Sequence, residues 1–248
     1  MKILVALLLF VTLNANSTSL ALYNFSNGQL ESSHRHEEIV AIASVTKLFT
    51  AASVLESGVN IHEKVKVQGK TKGRFTQGAM VTRLELLKAM LIASDNLAAD
   101  SLAYSHPGGY REFINHTNTF IGSIGLKNTK IFDASGLSVF NVSSADELVN
   151  FVWYLRHYPL ITDISSRASD ELEFDNNRRK TVKLQIKNTN PDINKYNVLI
   201  SKTGFTNAAG RCLVMLIQKG DDVLGIAVLG FKNPKTRSEA VSQLINFK

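Results

Sequence analysis

A single cysteine, Cys212, in 248 residues excludes an intrachain disulfide. Its setting in the apolar run Cys212-Leu213-Val214-Met215-Leu216-Ile217 reads as a buried thiol rather than a reactive one. Metal-ligand spacing is missing as well: His34 and His36 form an isolated H-x-H beside Glu37 and Glu38 with no second ligand cluster, so neither a metal nor any other cofactor is expected. No basic run with interleaved aromatics appears, which removes nucleic acid as a partner. The composition, 44% hydrophobic and 20% charged, is not that of a disordered chain, and no repeat period is visible. The apolar stretch Ile3 to Leu13 is too short to span a bilayer.

That stretch instead fits a secretory signal, with Lys2 before it and small residues after it. Cleavage after Ser17 leaves Ser19 to Phe25 intact as a first strand, whereas cleavage after Ala21 would trim it, so 1–17 is the expected signal peptide and the mature protein is expected to be exported. A formal charge of +7 suits an exported protein that works on an anionic polymer or membrane surface.

Hydrophobic periodicity sets out the rest. Ser19 to Phe25 and Gln29 to Ser32 flank Ser26-Asn27-Gly28, a strong hairpin signal. Ala41 to Leu55 reads as a helix with its entry. From His62 to about Tyr158 the pattern is mostly helical, with S/T-x-x-E boxes at Thr82 and Ser144 opening Leu84 to Ala93 and Leu148 to Leu155, and a further helix from Tyr110 to about Ile124. An irregular polar stretch covers Asp175 to Lys180. Asn197 to Lys202, Arg211 to Lys219 and Val223 to Phe231 read as antiparallel strands, and Pro234 to Phe247 as a closing helix. The expected fold is therefore α+β: a five-stranded antiparallel sheet flanked by helices (sheet lobe 18–60 and 181–248), interrupted by an all-helical lobe (61–180).

Three strings carry the chemistry, in this order: Ser44-Val45-Thr46-Lys47, Ser94-Asp95-Asn96 and Lys202-Thr203-Gly204. An S-x-x-K match alone is expected on the order of once by chance in a chain of this size. Order and company give it weight. On a helix, residues three apart share a face, so Lys47 would reach the Ser44 hydroxyl as its base once burial and the second amine, Lys202, depress its pKa. Ser94 would relay a proton to a leaving amine, and Asn96 would hold Lys47 and a substrate carbonyl, with Asp95 pointing elsewhere. Lys202 ends a strand. Gly204 leaves room for an extended substrate against the strand edge, Lys202 and Thr203 would grip a carboxylate, and the NH groups of Ser44 and Phe205 would bind an oxyanion.

At these residues the chain resembles the penicillin-binding, active-site serine DD-peptidases of low molecular mass, a β-lactamase-like fold. The likeness extends to Gly136-Leu137-Ser138 with Asn141-Val142-Ser143, to Asn188-Thr189-Asn190 and to Lys202 through Gly210, and runs from about Ala21 to the C-terminus. Pro107-Gly108-Gly109-Tyr110 and Gly210 to Met215 are most similar to the D-alanyl-D-alanine endopeptidase branch. The resemblance implies a periplasmic enzyme that opens peptidoglycan cross-links between D-alanine and the diaminopimelate of the next stem. In it Ser44 is acylated, Lys47 is the base, Ser94 and Asn96 form the second wall, and Lys202 with Thr203 form the carboxylate pocket. Peptidoglycan stem peptides and, as covalent inhibitors, β-lactam antibiotics are the implied partners. Relatives with carboxypeptidase activity commonly carry a further domain and an amphipathic anchor; the chain stops at Lys248, so a stable membrane anchor is not expected. A DD-carboxypeptidase and a non-catalytic wall-binding protein are the alternatives. A class A β-lactamase would need a glutamate in an E-x-x-L-N string, which is absent, so penicillin is expected to acylate Ser44 and stay.

Overall fold

A computed structural model describes residues 18–176 and 180–246; the signal peptide expected at 1–17 lies outside them. The elements are β1 (Ser19–Asn24), β2 (Gln29–His34), β3 (Val40–Ala41), a 3₁₀ turn (Ala43–Val45), α1 (Thr46–Glu56), β4 (Lys64–Lys66), β5 (Met80–Thr82), α2 (Arg83–Ile92), α3 (Asn96–Tyr104), α4 (Gly109–Ser123), β6 (Val142–Ser143), α5 (Ala145–Leu155), α6 (Pro159–Ser166), β7 (Ser169–Asp175), β8 (Thr181–Lys187), β9 (Asn197–Thr206), β10 (Gly210–Lys219), β11 (Asp222–Phe231) and α7 (Pro234–Asn246).

The expected five-stranded antiparallel sheet is present, in the order β2-β1-β11-β10-β9. Both of its faces are covered, and strand alternation divides them. Leu213, Met215 and Ile217 of β10 face one cluster with Leu20, Leu22, Ile226, Val228 and the α7 residues Val241 and Leu244. Cys212, Val214 and Leu216 face the main core with residues of α1 and α5. Adjacent side chains of a strand point to opposite faces, so continuous burial along β10 requires a layer on each side.

The inserted lobe departs from expectation. It is not all-helical: β4, β5, β7 and β8 form a second antiparallel sheet in that order, and β3 pairs with β6. β4 and β5 are three residues each, too short to show a period. The acidic strand β7 pairs with β8 along its whole length, Leu172 opposite Leu184 and Phe174 opposite Val182, and Lys183 lies 3.4 Å from Glu171 and 3.3 Å from Glu173 on the exposed face. β8 begins at Thr181, so it belongs to this second sheet rather than to the five-stranded one.

Both expected helix caps form, but only halfway. Thr82 Oγ1 accepts from Glu85 N and Ser144 Oγ from Glu147 N. The glutamates are engaged elsewhere: Glu85 accepts from the Glu173 amide at 2.9 Å, which ties α2 to β7, and Glu147 gathers the amides of Lys127 and Asn128 and the Thr129 hydroxyl. Among the described residues no helix is long and apolar enough to cross a membrane.

Candidate active site

The site lies where the edge strand β9 faces the start of α1 and the α2–α3 junction. Ala43 enters its 3₁₀ turn at φ +47°, a left-handed conformation that costs an alanine energy, and the turn hands Ser44 to the foot of α1. Lys47, three residues on, returns its amine to within 2.9 Å of Ser44 Oγ. The same amine donates to Asn96 Oδ1 at 2.7 Å and to the Ser135 carbonyl. Lys47 is fully buried, and burial pushes its amine down from an ordinary 10.5 to about 7, outweighing the upward pull of Asp133, Asp95 and Asp100.

Ser94 sits between the helices at φ +56°, the second strained non-glycine residue of the site. Asp95 does point elsewhere: it caps α3 through Ala98 N at 2.8 Å and accepts from Arg74 N at 2.6 Å. Asn96 can therefore open α3 with its amide turned toward Lys47.

On β9, Lys202 is 1% exposed, and its amine donates to Ser94 Oγ at 2.9 Å and to the Thr203 carbonyl at 3.0 Å. Burial first, then the neighbouring cations Lys47 and Arg237, hold it well below the ordinary lysine range. The Thr203 hydroxyl shares a 2.6 Å hydrogen bond with that of Thr189. At Gly204 a Cβ would lie 2.9 Å from the Ile42 carbonyl and 3.0 Å from Ser44 N, so the absent side chain is what lets β9 approach the turn that carries Ser44. Phe205 stays half-exposed at the rim, with the Arg211 guanidinium 4.0 Å above its ring.

An open cleft of about 450 Å³ is lined by Ser44, Ser94, Thr203, Gly204 and Phe205. Asn96, Lys47 and Lys202 support it from behind, so all eight expected residues converge. Two groups that the sequence did not reveal complete it. Arg237, at the start of α7, is 4% exposed, lines the cleft and has an Nε without a hydrogen-bond partner among the described residues. No short string marks it. The other is the loop at Asp133, whose carboxylate accepts the amides of Ser135, Gly136 and Ser138 and so aims the Ser135 carbonyl at Lys47. Gly136 takes φ +85°, and a Cβ there would fall 2.1 Å from the Ala43 carbonyl. The Gly136-Leu137-Ser138 string was the available signal.

A family model described as D-alanyl-D-alanine carboxypeptidase matches residues 11–233. The chain belongs to this family. It is similar to the D-alanyl-D-alanine endopeptidase of Escherichia coli, 39% identical over 190 residues that make up 73% of the chain and 60% of that relative. Similarity to the D-alanyl-D-alanine endopeptidase of Pseudomonas aeruginosa is 36% over 77% of the chain and 63% of the relative. The matched part thus spans about three fifths of these relatives' length. Among solved structures, a point mutant of a Streptomyces DD-transpeptidase shares the fold, with a TM-score of 0.85, 22% identity, and coverage of 92% of this chain and 96% of that one.

Proposed function

We propose that this family member is a periplasmic serine DD-peptidase that opens peptidoglycan cross-links between D-alanine and diaminopimelate through an ester on Ser44. The observation that carries the reading is the fully buried Lys47 amine, 2.9 Å from Ser44 Oγ, with amide and carbonyl oxygens rather than a carboxylate as its other partners. A neutral amine has two N–H groups and one lone pair. Asn96 and Ser135 engage the N–H groups, which leaves the lone pair turned on the serine hydroxyl.

Ser44 Oγ attacks the D-alanine carbonyl and its proton passes to Lys47. The oxyanion forms against the backbone NH groups of Ser44 and Phe205, each such donor contributing about 3 to 4 kcal/mol in comparable sites. The C–N bond breaks as the proton returns, by way of the Ser94 hydroxyl, to the departing amine. Water then attacks the ester, gives its proton to Lys47 and frees Ser44. Lys202 acts here through Ser94, because its buried amine already donates to that hydroxyl. The grip on the substrate carboxylate passes to Thr203 and the partly unpartnered Arg237. β-Lactams, which also carry a carboxylate beside a reactive amide, acylate the same serine.

The family description favours a second reading, DD-carboxypeptidase activity, since the same cleft would accept a terminal D-alanine. Cleavage of a cross-linked muropeptide dimer compared with release of D-alanine from a pentapeptide separates the two. The test of the shared mechanism is Ser44→Ala, which is expected to abolish covalent labelling by penicillin while circular dichroism and melting temperature stay as in the parent. Labelling at another serine in that variant would refute the assignment.

A further inference from the structure

A second cavity, of about 520 Å³, adjoins the reactive cleft and shares Phe205 with it. Its walls come from Val40 and Ala41 of β3, from the β9–β10 turn at Ala208, and from two charged residues, Glu38 and Lys232. Arg35 holds the Glu38 carboxylate in place, whereas Lys232 makes no salt bridge among the described residues. Nothing in the chemistry at Ser44 uses this cavity.

Strand polarity says what would enter it. β9 is the free edge of its sheet and runs from Asn197 toward Thr206, so Thr203 precedes Phe205, which precedes the turn at Ala208. The cationic end of the cleft, with Arg237, lies beside Thr203 and suits the carboxylate of the leaving residue. A peptide placed with that residue at Thr203 runs antiparallel to β9, so the residues before the scissile bond pass Phe205 and continue toward Ala208 and the second cavity.

We propose that this cavity is the subsite for the donor stem's own diamino acid, the residue joined to the acylating D-alanine. The inference rests on the DD-peptidase reading above and adds a specificity site to it. Peptidoglycan stems are built alike, so the donor carries a diaminopimelate of its own, whose side chain ends in an ammonium and a carboxylate when it is not cross-linked. Lys232 receives that carboxylate and the fixed Glu38 faces the ammonium, while Val40, Ala41 and Ala208 cover the methylene chain.

The test compares two cross-linked dimers, one with the donor diaminopimelate free and one with its side-chain amine acetylated and its carboxylate amidated. With the full chain, kcat/KM for the free dimer is expected to exceed that for the blocked dimer by about tenfold or more, the scale of one or two charge-assisted hydrogen bonds. Lys232→Glu is expected to collapse that ratio toward one. Ala208→Trp, which fills the cavity from an exposed turn position, is expected to do the same. Equal cleavage of both dimers by the parent protein, or a ratio that survives both substitutions, overturns the subsite and leaves the Ser44 mechanism standing. Cleavage of neither dimer by a protein that penicillin does not label overturns both.

Discussion

The two walls of the cleft each bury one lysine completely, and they surround it with opposite charge. On the helical wall, Lys47 hydrogen-bonds to Asn96 and the Ser135 carbonyl, with Asp133, Asp95 and Asp100 acting on it from farther away. On the sheet wall, the Lys202 amine donates to Ser94 and the Thr203 carbonyl, with Lys47 and Arg237 as like-charged neighbours. Burial disfavours both ammonium forms. The acidic surroundings partly restore the charge on Lys47, while the cationic ones remove it further from Lys202. The acidic surroundings make the helical wall the better place for a proton, in keeping with the base role proposed for Lys47. Lys202, held below the ordinary lysine range by burial and by the cations beside it, donates to Ser94. In the proposed mechanism the same asymmetry would draw a substrate carboxylate to the sheet wall, beside Arg237.

The sharpest way to break this division is to remove each amine. Lys47→Ala is expected to slow acylation by penicillin ~10²- to 10⁴-fold, the range for a lost general base. If Lys202→Ala proved the more damaging of the two in the same stopped-flow labelling assay, the roles assigned to the walls would have to be exchanged.

Next in size is a change to the contact between the walls. Gly204→Ala would press a methyl group onto the Ile42 carbonyl and Ser44 N, both backbone atoms with little room to yield. Displacing an oxyanion donor by a fraction of an ångström is expected to lower kcat on the order of 10- to 100-fold. A crystal structure of the variant with Ser44 N unmoved and kcat near that of the parent would show that β9 does not set the nucleophile's position.

A smaller effect is expected from the sheet wall's charge. Arg237→Leu should raise KM for a carboxylate-bearing peptide by about tenfold with a lesser change in kcat, the signature of a lost binding contact. An equal loss for a substrate whose terminal carboxylate is amidated would mean that Arg237 acts on the fold rather than on the ligand.

How much of this was legible in the sequence differs between the walls. The five-stranded sheet announces itself through Asn27-Gly28 between two strand-like runs and through unbroken apolar runs such as Cys212 to Ile217, because a strand buried on both faces needs apolar residues at successive positions rather than at alternate ones. Ser44 and Lys47 are legible because a helix turn fixes their spacing, and Lys202 and the Ser94-Asp95-Asn96 turn because their strings follow in order and in company. The strands of the inserted lobe are not. β4 and β5 are too short, and β7 is written in acidic residues whose partners lie on another strand. Only β8 carried a clear mark, the alternation Val182, Leu184, Ile186. Arg237 is invisible for a different reason. Its value comes from α7 packing back across the sheet, a contact between distant segments that no short string records.

Asp133 gives the finest probe of the helical wall, since it both builds the loop behind Lys47 and is the largest charge favouring the ammonium there. Acylation needs Lys47 neutral, so with its amine near 7 the labelling rate should climb as pH rises through that value and level off above it. Removing a nearby negative charge weakens the ammonium and lowers the pKa. Asp133→Asn is therefore expected to move the rise to lower pH. The new side-chain carbonyl can keep accepting from Ser135 and Gly136 while the contact to Ser138 is lost. A purely structural role predicts something else: a lower plateau at every pH with the midpoint where it was. The pH profile thus separates field from scaffold. A midpoint displaced upward would mean that Lys47 is not the titrating base.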